Sequence, residues 1–230
     1  MTDVLLLDYN GVVVDDEPLH FAALRDVLAI ERIALDEATY DADYLGLDDR
    51  ACLREAFRRT VRPLDPEPLD RLAARKADWY AALARAGLPI VPGVHDFVRA
   101  AAERCRIAVV SGALRREIRA GLECAGIADL VGAVVGAEDV VTGKPDAAGL
   151  RLAVAELARG GSGRTRAVVV EDSLPGLTAA RALGAGCVAL ATSHGARELA
   201  GADLVWGSFA GHRPEELAPL FREVEVRGRA

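Results

Sequence analysis

Short runs of β-branched and aliphatic residues recur along the chain at Val4 to Leu7, Ile107 to Val110, Ala133 to Val135, Ala167 to Val170 and Cys187 to Leu190. Each is bounded by polar, Gly or Pro residues. The runs are apolar throughout and do not alternate with polar residues, the pattern of strands in a parallel sheet covered on both faces. Helical patterns lie between them, at about Leu114 to Ala125, Ala147 to Ala158 and Pro175 to Leu183. Strand alternating with helix predicts a doubly wound α/β fold with a parallel sheet. A last short strand is expected at Leu204-Val205, then a helix with Pro214 near its first turn and an Arg-rich tail.

Residues 18 to about 88 interrupt this alternation. They contain amphipathic helical stretches at Leu19 to Ala29, Asp49 to Arg59 and Leu69 to Ala86, with the Pro63, Pro66 and Pro68 cluster separating two of them. Pro89-Ile90-Val91-Pro92-Gly93 is a turn-rich return to the sheet. The expected organisation is a core of residues 1–15 and 90–230 with a helical insert of residues 16–89. Gly160-Gly161-Ser162-Gly163 is expected as a flexible surface loop; no phosphate-cradling motif follows it.

Apolar residues make up 51% and charged residues 27%, an ordinary globular composition. A net charge of -7 argues against broad binding to nucleic acid or anionic membranes. No apolar run approaches the roughly 18 residues of a membrane-spanning helix, and the start Met1-Thr2-Asp3 lacks the basic character of a signal peptide. A cytoplasmic protein is expected. Cys52, Cys105, Cys124 and Cys187 are too far apart for a zinc ligand pair and are expected as buried thiols in a reducing compartment. Of 28 basic residues only Lys76 and Lys144 are lysine. A site that needs a compact point charge will not accept the planar fork of arginine, so both lysines merit attention.

Ligands of parallel α/β sheets collect beyond the C-terminal ends of the strands. Those ends carry Asp8, then Ser111-Gly112, then Gly143-Lys144-Pro145-Asp146, then Glu171-Asp172-Ser173. A nucleophilic carboxylate, a hydroxyl, an ammonium and a further pair of carboxylates fit metal-assisted phosphoryl transfer. A phosphate monoester dianion repels an approaching carboxylate, so Mg²⁺ between Asp8 and a phosphate oxygen would neutralise and orient both. Asp172 with Glu171 would complete the anionic side of the metal. Lys144 and Ser111 would hold the remaining oxygens as charge develops.

The order Asp8-x-Asn10-Gly11, Val110-Ser111-Gly112, Gly143-Lys144-Pro145 and Glu171-Asp172-Ser173-x-x-Gly176-x-x-Ala179-Ala180 resembles motifs I to IV of the haloacid dehalogenase-like (HAD) hydrolases. The similarity covers nearly the whole chain and is nearest to the beta-phosphoglucomutase and phosphoglycolate phosphatase subgroup. It implies a Rossmann-like core with an inserted helical cap, Mg²⁺ as cofactor, a small phosphorylated substrate, and a monomer or weak homodimer. It implies an aspartyl-phosphate at Asp8, metal contacts from Asp8, the backbone carbonyl of Asn10, Glu171 and Asp172, and phosphate contacts from Gly11, Ser111, Gly112 and Lys144. Asp15-Asp16-Glu17-Pro18-Leu19-His20 and Arg75-Lys76-x-x-x-Tyr80 resemble the cap hinge and a substrate contact, which adds His20 and Lys76 to the site.

Other roles compete for several of these residues. Ser111 is also suited to cap the helix after it, and Glu171-Asp172 to cap the helix at Pro175. His20 reads as a hinge or core histidine. Lys76 and the Arg50, Arg54, Arg58 stripe read as a solvated helix face, with Trp79 and Tyr80 in the core of the insert.

Asn10 departs from the family pattern, which has an acid/base Asp there. An amide neither protonates a leaving oxygen nor takes a proton from water at neutral pH, although it orients water by hydrogen bonding. Turnover is expected to fall by about 10² to 10⁴ unless another group such as Asp15 or Asp16 substitutes, with good leaving groups suffering least. The leading expectation is a Mg²⁺-dependent phosphatase. A phosphosugar mutase and a weakly catalytic phosphate-ligand binder are the alternatives; a dehalogenase fits less well because Glu171-Asp172 is retained and position 10 is not Tyr.

Overall fold

The computed structural model describes residues 1–44, 47, 49–159 and 164–225. The Gly160 to Gly163 stretch and the end of the Arg-rich tail lie outside the described residues. The chain divides into two compact units, one of Met1–Asp15 with Pro89–Ala230 and one of Asp16–Leu88.

The first unit is an α/β sheet. Strands β1 (Thr2–Leu7), β2 (Arg106–Val110), β3 (Val131–Val135), β4 (Thr165–Glu171), β5 (Gly186–Leu190) and β6 (Leu204–Trp206) lie parallel in the order β3-β2-β1-β4-β5-β6. Both faces are buried. Val4, Leu6, Ala108, Val110 and Val169 share one core with residues of the helices Ala148–Ala158 and Leu174–Leu183. The alternate residues Leu5, Leu7, Ile107, Val109, Val168 and Val170 are buried as well, which is why these strands read as unbroken apolar runs. The helices Val94–Ala102 and Arg115–Cys124 complete the α/β alternation.

Two features of this unit were not in the sequence reading. Val94–Ala102 is a helix directly after the Pro-rich return. Arg222–Val224, expected within the tail, forms β7 antiparallel to β4, pairing with Thr165 to Ala167. The neighbouring strand β5 joins β4 only from Val168 onward, so β7 covers an edge that would otherwise be bare. The Pro214 segment is a 3₁₀ turn, Pro214–Leu220.

The second unit is helical: α1 (Glu17–Ile30), α2 (Glu37–Asp43), α3 (Asp49–Arg59) and α4 (Pro66–Ala86). Leu24, Leu28, Tyr40, Leu53, Phe57 and Leu72 are in its core. Pro63 sits in the α3–α4 connection, but Pro66 and Pro68 lie in the first turn of α4. A missing N–H costs nothing there because first-turn donors have no intrahelical partner. Among the described residues no helix is long and apolar enough to cross a membrane.

Candidate active site

The sheet order reverses its direction of winding at β1, between β2 and β4, and Asp8 follows the end of β1. Such a crevice is where doubly wound sheets bind ligands. The loop after Asp8 is tightly folded: Val12, Val13 and Val14 all donate backbone hydrogen bonds to the Tyr9 carbonyl, and Gly11 N–H donates to Val14 O at 2.7 Å. Gly11 has φ of +69°. A Cβ there would collide with the Asp172 carboxylate and lie 2.9 Å from Ser193 Oγ. Glycine is therefore required both for backbone conformation and for the approach of Asp172 to the loop.

Lys144 Nζ lies 2.8 Å from Asp8 Oδ1 and pairs also with Glu171 Oε1. That ion pair puts a charge beside Asp8 Oδ1, a buried oxygen for which no hydrogen bond is formed among the described residues. Glu171 Oε2 accepts from Asp172 N at 3.1 Å, Ser173 N at 3.3 Å and Ser173 Oγ at 3.0 Å. Ser173 Oγ in turn caps the following helix by accepting from Gly176 N at 3.2 Å. A Cβ on Gly176 would strike the Glu171 carboxyl. Glu171 thus has both oxygens committed, one to Lys144 and one to the start of the helix.

Ligand oxygens of Asp8, Glu171 and Asp172 lie within 4.8 Å of one another, all three residues buried. Burial first, and then the neighbouring Glu171 charge, push Asp8 up to about 6 against the opposing pull of Lys144. Burial and the charges of Asp8 and Glu171 push Asp172 up to about 8. Burial by itself would lower Lys144, but the two carboxylates it contacts hold it above its ordinary value. Three buried carboxylates facing one ammonium are short of positive charge. The orphaned Asp8 oxygen and the all-oxygen donor set fit a hard divalent cation.

Ser111 Oγ donates to Asn10 Oδ1 at 3.3 Å and accepts from Ala113 N at 3.1 Å. Asp8, Asn10, Ser111, Gly112 and Lys144 line a cavity of about 470 Å³ whose wall is otherwise mostly apolar. A Cβ on Gly112 would meet nothing within 4 Å, so its place in this loop is not forced by packing.

In the helical unit His20 and Lys76 are brought together. Lys76 Nζ is 2.6 Å from His20 Nδ1 and 2.5 Å from Asp49 Oδ1. Tyr80 stacks on His20 with ring centroids 4.3 Å apart, and its hydroxyl donates to Asp16 Oδ2 at 2.5 Å.

A family model described as haloacid dehalogenase-like hydrolase matches residues 2–184. The chain belongs to the haloacid dehalogenase-like hydrolase family. This hydrolase is 32% identical over 214 residues to a phosphoglycolate phosphatase of Caulobacter vibrioides, covering 89% of this chain and 86% of that one. It is 30% identical over 223 residues to Protein CbbY of Cereibacter sphaeroides, covering 91% and 94%. A crystal structure of an Asp→Asn mutant of CbbY from Rhodobacter sphaeroides, in complex with xylulose-(1,5)bisphosphate, superposes with a TM-score of 0.72 at 26% identity over 92% of this chain and 96% of that chain. These relatives put the hydrolase in the beta-phosphoglucomutase/phosphoglycolate phosphatase-like subgroup.

Two sequence readings need correction in the hydrolase. Lys76 is not on a solvated face: it is 3% exposed, while Arg50, Arg54 and Arg58 are exposed as expected. Position 76 turns toward α1, where His20 receives it, and a lysine stem is long enough to bury its length and still meet Asp49. Cys124 is exposed, Cys105 half-buried, and only Cys52 and Cys187 are buried, all as free thiols. The buried face of Arg115–Cys124 runs through Ile118, Gly121 and Leu122, leaving Cys124 on the far side.

Sequence reasoning missed the loop after β5. Thr192 Oγ1 donates to Gly11 O at 2.7 Å, Ser193 Oγ donates to Asp172 Oδ2, and His194 Nδ1 lies 3.2 Å from the Asp172 carbonyl oxygen. The available signal was position alone: three consecutive polar residues just past the C-terminal end of a parallel strand.

Proposed function

We propose that this hydrolase is a Mg²⁺-dependent phosphatase acting on a small phosphorylated metabolite, a sugar phosphate or similar, through an aspartyl-phosphate at Asp8. The observation that carries this reading is the buried Asp8 carboxylate at a strand end, ion-paired to Lys144 within a cluster of carboxylates and open to a cavity of about 470 Å³. The family membership and the phosphatases among its relatives support the same reaction class.

An Asp8 oxygen attacks phosphorus as the bond to the leaving oxygen breaks, and water then releases phosphate and regenerates the carboxylate. Lys144, the Ser111 hydroxyl and the backbone of Gly11 and Gly112 hold the oxygens of the transferred group. Asp8, Asp172, Glu171 and the Asn10 carbonyl would hold the cation, with Glu171 also anchoring Lys144. Bound Mg²⁺ supplies charge neutralisation for the dianion. Asn10 orients the attacking water. His20 and Lys76 are the substrate contacts of the helical unit.

A slow-turnover form is the second reading. Asn10 favours it, since an amide neither gives nor takes a proton near neutrality. A pre-steady-state assay with Mg²⁺ and an aryl phosphate separates the two, run beside Asp8→Ala and Asn10→Asp and followed by phenol release and intact mass. Steady turnover abolished by Asp8→Ala is the expected result for the phosphatase. A single burst with a phosphate-sized mass gain, relieved by Asn10→Asp, would instead identify the slow form.

A further inference from the structure

Cleaving a phosphate ester leaves an oxygen that either takes a proton as it departs or is stable without one. The polar side chains lining the Asp8 cavity are Asp8, Asn10, Ser111, Lys144 and Asp146. Asn10 is an amide whose Oδ1 receives the Ser111 hydroxyl, and it has no acidic proton near neutrality. The Ser111 hydroxyl is directed at Asn10, and its oxygen is occupied by Ala113 N–H. Lys144 is ion-paired with Asp8 and Glu171, and losing its proton would leave those buried carboxylates unneutralised. Asp146 is exposed, and its Oδ1 is taken up by Ala148 N–H at 2.7 Å.

In the helical unit the His20 ring and its neighbours Lys76, Asp16 and Tyr80 are committed in the same way. His20 Nδ1 meets Lys76 Nζ, and its Nε2 lies 3.4 Å from Asp16 Oδ2, which also accepts from Tyr80. Both ring nitrogens therefore have partners.

We infer that the hydrolase selects phosphoryl compounds whose leaving oxygen departs as a stable anion, with acyl phosphates first and aryl or enol phosphates next. The inference rests on the phosphatase reading above and narrows its substrate class. In the first step the Asp8 oxygen forms a bond to phosphorus, and the phosphorus–oxygen bond to the leaving group breaks with its electron pair on the departing carboxylate, phenolate or enolate. No proton is required. In the second step water attacks the phosphorus, the bond to Asp8 breaks with its electron pair returning to the carboxylate, and both protons of the water leave on the phosphate product as dihydrogen phosphate. A small hydroxy acid phosphorylated on its carboxyl group would combine this bond with the polar body of the substrates named for the relatives.

The test uses the full chain with Mg²⁺ and a graded set of substrates: acetyl phosphate, phenyl phosphates of decreasing phenol acidity, and glucose 6-phosphate as an alkyl ester. The expected kcat/KM falls by about 10² to 10⁴ from acetyl phosphate to the alkyl ester. The expected kcat is nearly constant among the good leaving groups, because they share the second step. Asn10→Asp is expected to raise kcat/KM for the alkyl ester by about 10² or more and so to narrow its gap from acetyl phosphate. An alkyl ester cleaved within a few-fold of acetyl phosphate by the unmodified chain would overturn the inference and leave the phosphatase reading intact. If no substrate gives release or a phosphate-sized mass gain that Asp8→Asn removes, the phosphatase reading falls and this one with it.

Discussion

The two lysines sit in opposite electrostatic settings. Lys144 faces two buried carboxylates with a third beside them, and one Asp8 oxygen forms no hydrogen bond among the described residues. Lys76 is more deeply buried, yet its ammonium is matched by Asp49 and His20, and Asp49 is 39% exposed. The first cluster is unbalanced and opens onto a cavity; the second is balanced and packed against Tyr80. Burial of a charge is common to both, so burial alone does not mark chemistry. Surplus charge of one sign, held in place by a scaffold, does.

The largest expected effect falls on the unbalanced cluster. Asp8→Asn should lower turnover of any substrate by about 10⁴ or more, as expected for removal of a nucleophile, while circular dichroism and thermal unfolding stay close to the parent. An activity loss of only a few-fold would remove Asp8 from its proposed role.

The lysines can be compared directly. Lys144→Met should destabilise the metal-free protein by about 3 kcal/mol, because Glu171 and Asp8 lose the cation that pairs with both of them in a buried setting. Lys76→Met should cost about 1 kcal/mol or less, since Asp49 is exposed enough for water to replace the ammonium. Chemical denaturation of both variants in chelator checks this. Equal costs would dissolve the distinction between the two clusters.

Next in size is a pH effect confined to the carboxylate cluster. Asp8 and Asp172 are raised to about 6 and about 8 from an ordinary 3.8. The folded protein therefore binds protons that the unfolded chain has already lost, and metal-free stability should fall as pH rises from about 4 to about 8. A cation needs the carboxylates ionised, so its binding displaces those protons. The Tm gain from Mg²⁺ should thus be small near pH 5 and several degrees larger near pH 8. A gain independent of pH would mean that the cation does not engage this cluster.

The smallest effect is expected at Ser193. Ser193→Ala removes the hydroxyl that holds Asp172 Oδ2 and should weaken Mg²⁺ binding about tenfold by calorimetry, with Ser193→Thr recovering most of it. Unchanged affinity in the alanine variant would show that the Gly11 loop positions Asp172 without help.

Much of this architecture was readable from local pattern. Apolar runs at β1, β2, β4 and β5 stood out because parallel strands are covered on both faces, so every position selects for the same residue type. Asp8, Lys144 and Glu171-Asp172 stood out because strand ends are few and chemically distinctive side chains there are rare. Helix Glu37–Asp43 and strand Arg222–Val224 did not stand out. The first buries only Tyr40, and the second is exposed at Arg222 and Glu223, so neither carries a periodic apolar signal.

What the sequence by itself determined is therefore the order of elements, the carboxylates and lysine at the ends of the strands, and the amide at position 10. Only the tertiary structure decided which groups share a charge. It set Lys144 between Asp8 and Glu171, buried Lys76 against His20, and tied Thr192 and Ser193 to Gly11 and Asp172. Those contacts join residues 21 to 181 positions apart, and no local propensity reports them. Those at the sheet follow from the strand order, which brings distant strand ends side by side, and the Lys76–His20 contact follows from the packing of α1 against α4.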